Sequence, residues 1–394
     1  MFGTVPTGNP REGTARQSQR TLPETTSPLI LEETLAHWKL CNALLFAAVA
    51  ISGRTAGAQQ TAPSYPQVSV GGLWYLSYQD GKQNGMDFSR FVIKRGYINV
   101  EAKILSFLAG RITPDTTQDS TGDVKVRLKY GYAKLTGRNV GFITKPELEF
   151  GIVHMAWLDF EERVNRYRLQ DTMFMERVGL FNSADFGFTA TGLLGGTLPE
   201  EYQSRVTPDY PGRYGSFALG VYNGGGYHAS EQNENKVLQG RLTVRPLPDI
   251  GPGFQISYLG IVGKGNTALE PDFNVSAVMA SYQSARVVLT GTWMTATGNQ
   301  SGDALAADGS ALERDGWSAF GEGKVSPRWG VIARYDRFDP DRNTADDVQK
   351  RTIVGIVYHL GRGNELLLDY DRLAFDQAGR PADDRVQLTV QVRF

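Results

Sequence analysis

The chain has 394 residues, with 41 basic and 42 acidic side chains and a formal charge of −1, so net charge names no charged partner and gives no footprint for nucleic acid. Its one cysteine, Cys41, excludes an internal disulfide, and the scattered histidines His37, His154, His228 and His359 offer no metal-ligand spacing. Apolar residues make up 41%, and 45 Gly, 19 Phe, 17 Tyr and 6 Trp suit a structure with many turns and aromatic girdles.

In chain order, the first distinctive segment is apolar without alternating: C-N-A-L-L-F-A-A-V-A-I at 41–51. It is about half as long as a membrane-spanning helix. With His37 and Lys39 before it and A-G-A at 56–58 after it, it reads as a secretory signal peptide cleaved after Ala58. The polar residues 1–35 are an extension that such peptides normally lack, either a start codon assigned too early or a real extension. Cys41 precedes the apolar run without small residues ahead of it, which speaks against a lipoprotein anchor. Losing residues 1–58 removes five of the 41 basic and four of the 42 acidic side chains, leaving 36 and 38 and a charge of −2. Residues 59–66 form a short lead-in, and 67–394 form the main domain.

From residue 67 the pattern turns to strand-like runs at 67–79, 88–102, 105–113, 124–136, 139–155, 183–194, 215–223, 236–246, 252–264, 271–284, 286–297, 314–325, 329–339, 350–360, 363–375 and 384–394. Sixteen is even, as a barrel with both ends on one side of a membrane requires. Links after even-numbered strands are mostly tight, and links after odd-numbered strands are long and polar, again the barrel pattern. The stretch 195–214 breaks the rule, being long where a short turn is expected. The fold expected is all-β: a transmembrane antiparallel barrel of about 16 strands with an inward-folded constriction loop.

Phase assigns faces. In 124–136, Val124, Val126, Leu128, Tyr130 and Tyr132 share one face, and Lys125, Arg127 and Lys129 share the other. A Lys or Arg facing lipid at mid-depth costs roughly 2–4 kcal/mol, so the three cations are expected to face the lumen. They are either a basic ladder drawing anions or part of a plain wet wall. Arg95, Arg241, Arg245 and Arg334 join them as pore-lining basic candidates, with Arg351, Arg385 and Arg393 also inward by phase. Glu322, Asp336, Asp369 and Asp371 fall on inner faces too and are expected to pair with arginines.

The link 156–182 is too long for a passive connection and carries aromatics and methionines unsuited to water. Folded inward, it would narrow the lumen and make Arg163, Arg166, Arg168 and Arg177 constriction candidates, since planar guanidinium donors suit oxyanions. As an outer loop, its arginines would instead pair with Glu161, Glu162 and Glu176. No helical period of useful length is visible after the signal region. The loop 339–347 lacks the Gly and Glu of a calcium loop and reads as solvated acid.

The last strand, D-R-V-Q-L-T-V-Q-V-R-F, alternates apolar and polar up to Phe394. Such an ending resembles the signature that the outer-membrane barrel-assembly machinery reads. T-M-F-M-E-R-V at 172–178, V-Y-N-G at 221–224 and R-F-V-I-K-R-G-Y-I-N-V-E-A at 90–102 resemble the phosphate-selective porin O and P family. The resemblance covers roughly 67–394 and implies a sixteen-stranded barrel in the bacterial outer membrane, usually trimeric, passing phosphate, polyphosphate or related anions. The function expected is passive diffusion of small anions through a water-filled channel with lipid around it. The alternatives are a weakly selective or other-solute porin of the same fold, or a closed structural barrel. No catalytic site, cofactor or metal is expected.

Overall fold

The computed structural model describes residues 64–119 and 121–394; the expected extension, the signal peptide and residues 59–63 lie outside them. Sixteen strands follow in order: β1 (Gln67–Gln83), β2 (Met86–Lys103), β3 (Leu108–Gln118), β4 (Val124–Thr136), β5 (Ile143–His154), β6 (Ala184–Leu194), β7 (Gly215–Tyr222) and β8 (Val237–Val244). Then come β9 (Phe254–Lys264), β10 (Asp272–Gln283), β11 (Val287–Thr297), β12 (Glu313–Lys324), β13 (Trp329–Asp339), β14 (Gln349–Gly361), β15 (Asn364–Phe375) and β16 (Asp383–Arg393). Each pairs antiparallel with its sequence neighbours, and β1 pairs with β16 to close the barrel. The closing register sets Leu73 opposite Arg393 and Lys82 opposite Asp384, and two backbone bonds join Gly72 to Phe394. Closure of β1 on β16 removes the open sheet edge that a lipid environment does not tolerate.

Alternation decides the faces. Along β16, Val386, Leu388 and Val392 are exposed on the outside, while Gln387, Thr389 and Gln391 are buried in the lumen. Outward aromatics gather at both rims. Trp329 packs on Tyr358 (4.7 Å between centroids) and Phe142 on Tyr214 (5.6 Å) at the short-turn end, and Tyr78 packs on Phe91 (5.0 Å) near the opposite end.

Three local departures from the expected pattern have clear causes. The link after β1 shrinks to Asn84–Gly85, both with positive φ (52° and 77°), the tight hairpin that an Asn-Gly pair favours. Strand β3 continues past Pro114 to Gln118, because a bulge at Thr113/Pro114 accommodates the missing N–H. That bulge leaves Lys129 unpaired in β4 and shifts the phase beyond it. Tyr130 and Tyr132, expected on the lipid side with Leu128, therefore turn into the lumen, where they stack near His154.

Between β5 and β6 the chain enters the barrel as loop 155–183, carrying helices α1 (Leu158–Val164) and α2 (Phe174–Arg177). Trp157, Leu158, Phe160, Leu169, Met173, Phe174, Met175 and Leu180 are fully buried there. They pack on an inner wall that is itself apolar: Leu259, Ile261, Phe273, Val275, Met279, Met294, Phe320, Ile332 and Phe338. Removing this surface from water is what draws the loop inward. A third helix, α3 (Glu200–Arg205), lies in the long connection 195–214 at the short-turn end.

Candidate functional site

The inward loop divides the lumen into a covered half and an open half. Helix α1 shows how. Leu158, Phe160, Glu161 and Val164 are buried, whereas Asp159, Glu162, Arg163 and then Arg166 lie three or four residues apart on the opposite stripe. That charged stripe faces the open half, which is walled by β1–β5 and by Glu365 of β15 and Arg393 of β16. The helix went unseen in the sequence because it is short; the spacing of these charges was the available signal.

On the covered side the loop is tied down by backbone and guanidinium contacts. Arg241, 1% exposed, donates Nε–H to the Ala156 carbonyl (3.0 Å) and Nη1–H to Ser216 and Thr243, with its plane over Phe160 (4.3 Å) and Tyr210 (5.0 Å). Arg334 bonds Asp336 (2.8 Å) and the Thr172 carbonyl (3.2 Å), and Arg177 approaches the same Asp336 (3.5 Å). Arg245 donates to the carbonyls of Gly212 and Tyr210. Arg385 bridges Asp171 and Asp371 at 2.8 Å each, and Arg351 also bonds Asp371. Lys94, set inward by a bulge opposite Tyr75/Leu76, donates to the Leu169 carbonyl (2.6 Å). Arg241 and Arg334 thus face inward but lie beneath the loop, and Arg245 faces inward beneath the connection 195–214, with Tyr202 over its guanidinium (5.9 Å). Burial pushes the Glu161 carboxyl up to about 7, and Trp157 Nε1–H donates to it.

The open side holds two cavities of about 720 and 550 Å³ that share Glu101, Arg111, His154, Asp159, Arg163 and Asp209. The smaller is lined by Arg111, Lys129, Arg163, Arg166, Arg168 and Arg393 against Glu101, Asp159, Glu162, Asp209 and Glu365. Most of these charges are partnered. Arg168 pairs with Glu162 (3.3 Å) and Glu176; Arg166 approaches Glu322 (3.6 Å); Arg163 lies 3.6 Å from both Asp159 and Asp209. Arg163 and Arg166 still keep nearly half of their side-chain surface open, 47% and 45%. At the top of the cavity Lys129 Nζ sits over Tyr97 (4.8 Å) and Tyr130 (5.4 Å). Tyr75, Tyr97, Lys129, Tyr130 and Arg168 are each at most 8% exposed there, so wall and loop touch.

Beyond that contact, toward the long loops, Arg95 and Arg127 share the buried Asp115 at 3.1 and 3.9 Å. Tyr227 reaches across from the 223–236 loop, donating to Asp115 (3.1 Å) with Arg127 over its ring (5.6 Å). Lys125 lies at the rim, 63% exposed, paired with Asp119 at 2.7 Å. Asp115, Tyr227 and Arg111 were missed in the sequence. The sequence pattern places Asp115 in the link between the 105–113 and 124–136 runs, and Arg111 gives no signal beyond being a strand cation.

No family model matches this sequence, and no curated protein matches it. Solved structures do. The anion-selective porin from Comamonas acidovorans superimposes with a TM-score of 0.59 at 12% identity, over 84% of this chain and all of that one (100%). Salmonella typhi OmpF, in complex with daunomycin, gives 0.57 at 12% over 84% and 98%. OmpT, an outer membrane protein of Vibrio cholerae in its trimer form, gives 0.51 at 10% over 84% and 100%. With sixteen strands closed antiparallel, outward apolar faces and an inward third loop, the chain has the fold of the bacterial outer-membrane porins.

Proposed function

We propose that this chain is an outer-membrane porin that passes small anions through the crescent between the inward loop and β1–β5. The observation that carries the reading is the shared cavity pair lined by Arg111, Lys129, Arg163, Arg166, Arg168 and Arg393. Guanidinium and ammonium donors there replace part of an anion's hydration, while the loop limits solute size. The nearby carboxylates leave little net positive charge, which favours a general anion path over a phosphate-selective one. Phosphate and polyphosphate remain the sharper expectation that the family resemblance brings. The outward apolar strands and aromatic rims suit outer-membrane lipid. A homotrimer, and insertion by the barrel-assembly machinery through the strand ending at Phe394, complete the proposal. The role is that of a channel, not an enzyme.

A second reading has its own support. The burial of Tyr75, Tyr97 and Lys129 on the wall together with Arg168 on the loop favours a barrel that is shut at rest. Single-channel recording in a KCl gradient separates the two. An anion-favouring reversal potential, with current reduced by added phosphate, supports the porin. Cation preference overturns the anion reading, and silence favours the shut barrel.

A further inference from the structure

The connection 195–214 is much longer than joining β6 to β7 requires, and its residues are not slack. A β-bridge pairs Thr197 with Gly212, and Leu198 N–H bonds the Pro211 carbonyl (2.7 Å), closing the base of a folded unit. Above that base the segment rises into the barrel. Val206, Pro208 and Asp209 line the smaller cavity, and Pro208, Asp209 and Tyr210 line the larger. Tyr210 adopts a left-handed backbone (φ 46°), which an L-residue with a large side chain keeps only where its surroundings enforce it. Those surroundings are the inward loop: its ring meets Phe160 edge-on (5.1 Å) and its hydroxyl donates to Asp159. Next to it, Asp209 lies 3.6 Å from Arg163, whose other neighbour is Asp159.

We propose that residues 195–214 are a second constriction element. They form a floor that braces helix α1 from the short-turn end, and Asp209 lowers the anion preference of the path by partly neutralising Arg163. The inference rests on the channel reading. It assigns the segment two separable effects: Tyr210 holds the loop by contact, and Asp209 acts by charge on the neck common to both cavities. Solutes are thereby confined to the β1–β5 wall.

The test uses the mature chain in planar bilayers under a KCl gradient. Three proteins are compared: the wild type, Asp209→Asn, and a variant with residues 198–211 replaced by a two-residue turn across the Thr197–Gly212 bridge. Asp209→Asn should raise the anion-to-cation permeability ratio about two- to fourfold, the effect of one unit charge some 5 Å from the path under water-like screening. The excised variant should show larger conductance and more open-channel noise. If the wild type conducts and neither variant differs from it, the inference falls while the porin reading stands. If the wild type is silent and the excised variant conducts, the segment is a plug and the open-porin reading falls instead. Silence of every folded variant overturns both. Should the excised barrel not fold, an unchanged permeability ratio in Asp209→Asn is enough to overturn the role of Asp209.

Discussion

Arg241→Ala separates two roles that phase alone cannot distinguish. The side chain faces the lumen, as a pore cation would, but its Nε–H holds the Ala156 carbonyl at the root of the inward loop and its plane covers Phe160. Truncation removes a charge-assisted bond to the loop, worth about 1.5–3 kcal/mol net, and a cation–π contact of about 0.5–2 kcal/mol. Some of this is offset because a buried guanidinium no longer needs to be desolvated. A net loss of about 2–3 kcal/mol shifts the balance between docked and detached loop by roughly 30- to 150-fold. Trypsin reports that balance directly, since Arg163, Arg166, Arg168 and Arg177 are cleavable only when the loop leaves the wall. Nicking of the folded barrel should accelerate by about the same factor while cleavage remains slower than reclosing. Channel noise should rise, and the permeability ratio should stay that of the wild type. A fall in anion preference with a loop as protected as before would refute the reasoning and place Arg241 on the ion path.

Three further outcomes are expected. Asp115→Asn leaves Arg95 and Arg127 without their shared carboxylate and should raise anion preference, whereas Arg127→Gln should lower it; shifts of the same sign in reversal potential would refute this account of the entrance. Phe174→Ala empties a fully buried site against Phe338 and should cost about 3–5 kcal/mol of loop docking, read as faster trypsin nicking; unchanged protection would count against the packed loop. Glu161, held up at about 7 by burial, makes stability pH-dependent. Its contribution is complete below the ordinary carboxylate value near 4.5, falls by about 1.4 kcal/mol per pH unit above it, and is lost as pH rises through about 7. Thermal denaturation in detergent should therefore weaken from pH 5 to pH 8 in the wild type and less so in Glu161→Gln; equal slopes would remove Glu161 as the cause.

The barrel was largely legible in the sequence because a period of 2 is a local property. Each strand between lipid and lumen must show it, and the loop asymmetry is the ordinary pattern of such barrels, short turns at one end and long loops at the other. The inward course of 156–182 was legible as a possibility, since Trp157, Phe160, Phe174 and the neighbouring methionines had to leave water somewhere. The pairing of lumen carboxylates with arginines also came out as expected for Asp336 and Asp371.

What the sequence by itself determined is which way side chains point wherever the strand register is unbroken: Arg241 and Arg334 face inward on phase alone, as does Lys129 up to the bulge. Only the tertiary structure decided which inward residues meet water. The loop lies on β9–β14 because that wall is apolar, so Arg241 and Arg334 become its anchors, while Arg163 and Arg166, on the far stripe of a short helix, border the open crescent. One unpaired residue at Lys129 turned Tyr130 and Tyr132 from lipid to lumen, a change that pattern cannot see because it comes from register against β3. The ties from Arg385 to Asp171 and from Tyr210 to Asp159 are likewise set by how distant strands and loops meet across a closed barrel. Alternation is local and fixes faces; coverage and charge pairing are long-range and exist only once the ring is closed and the loop is folded inside it.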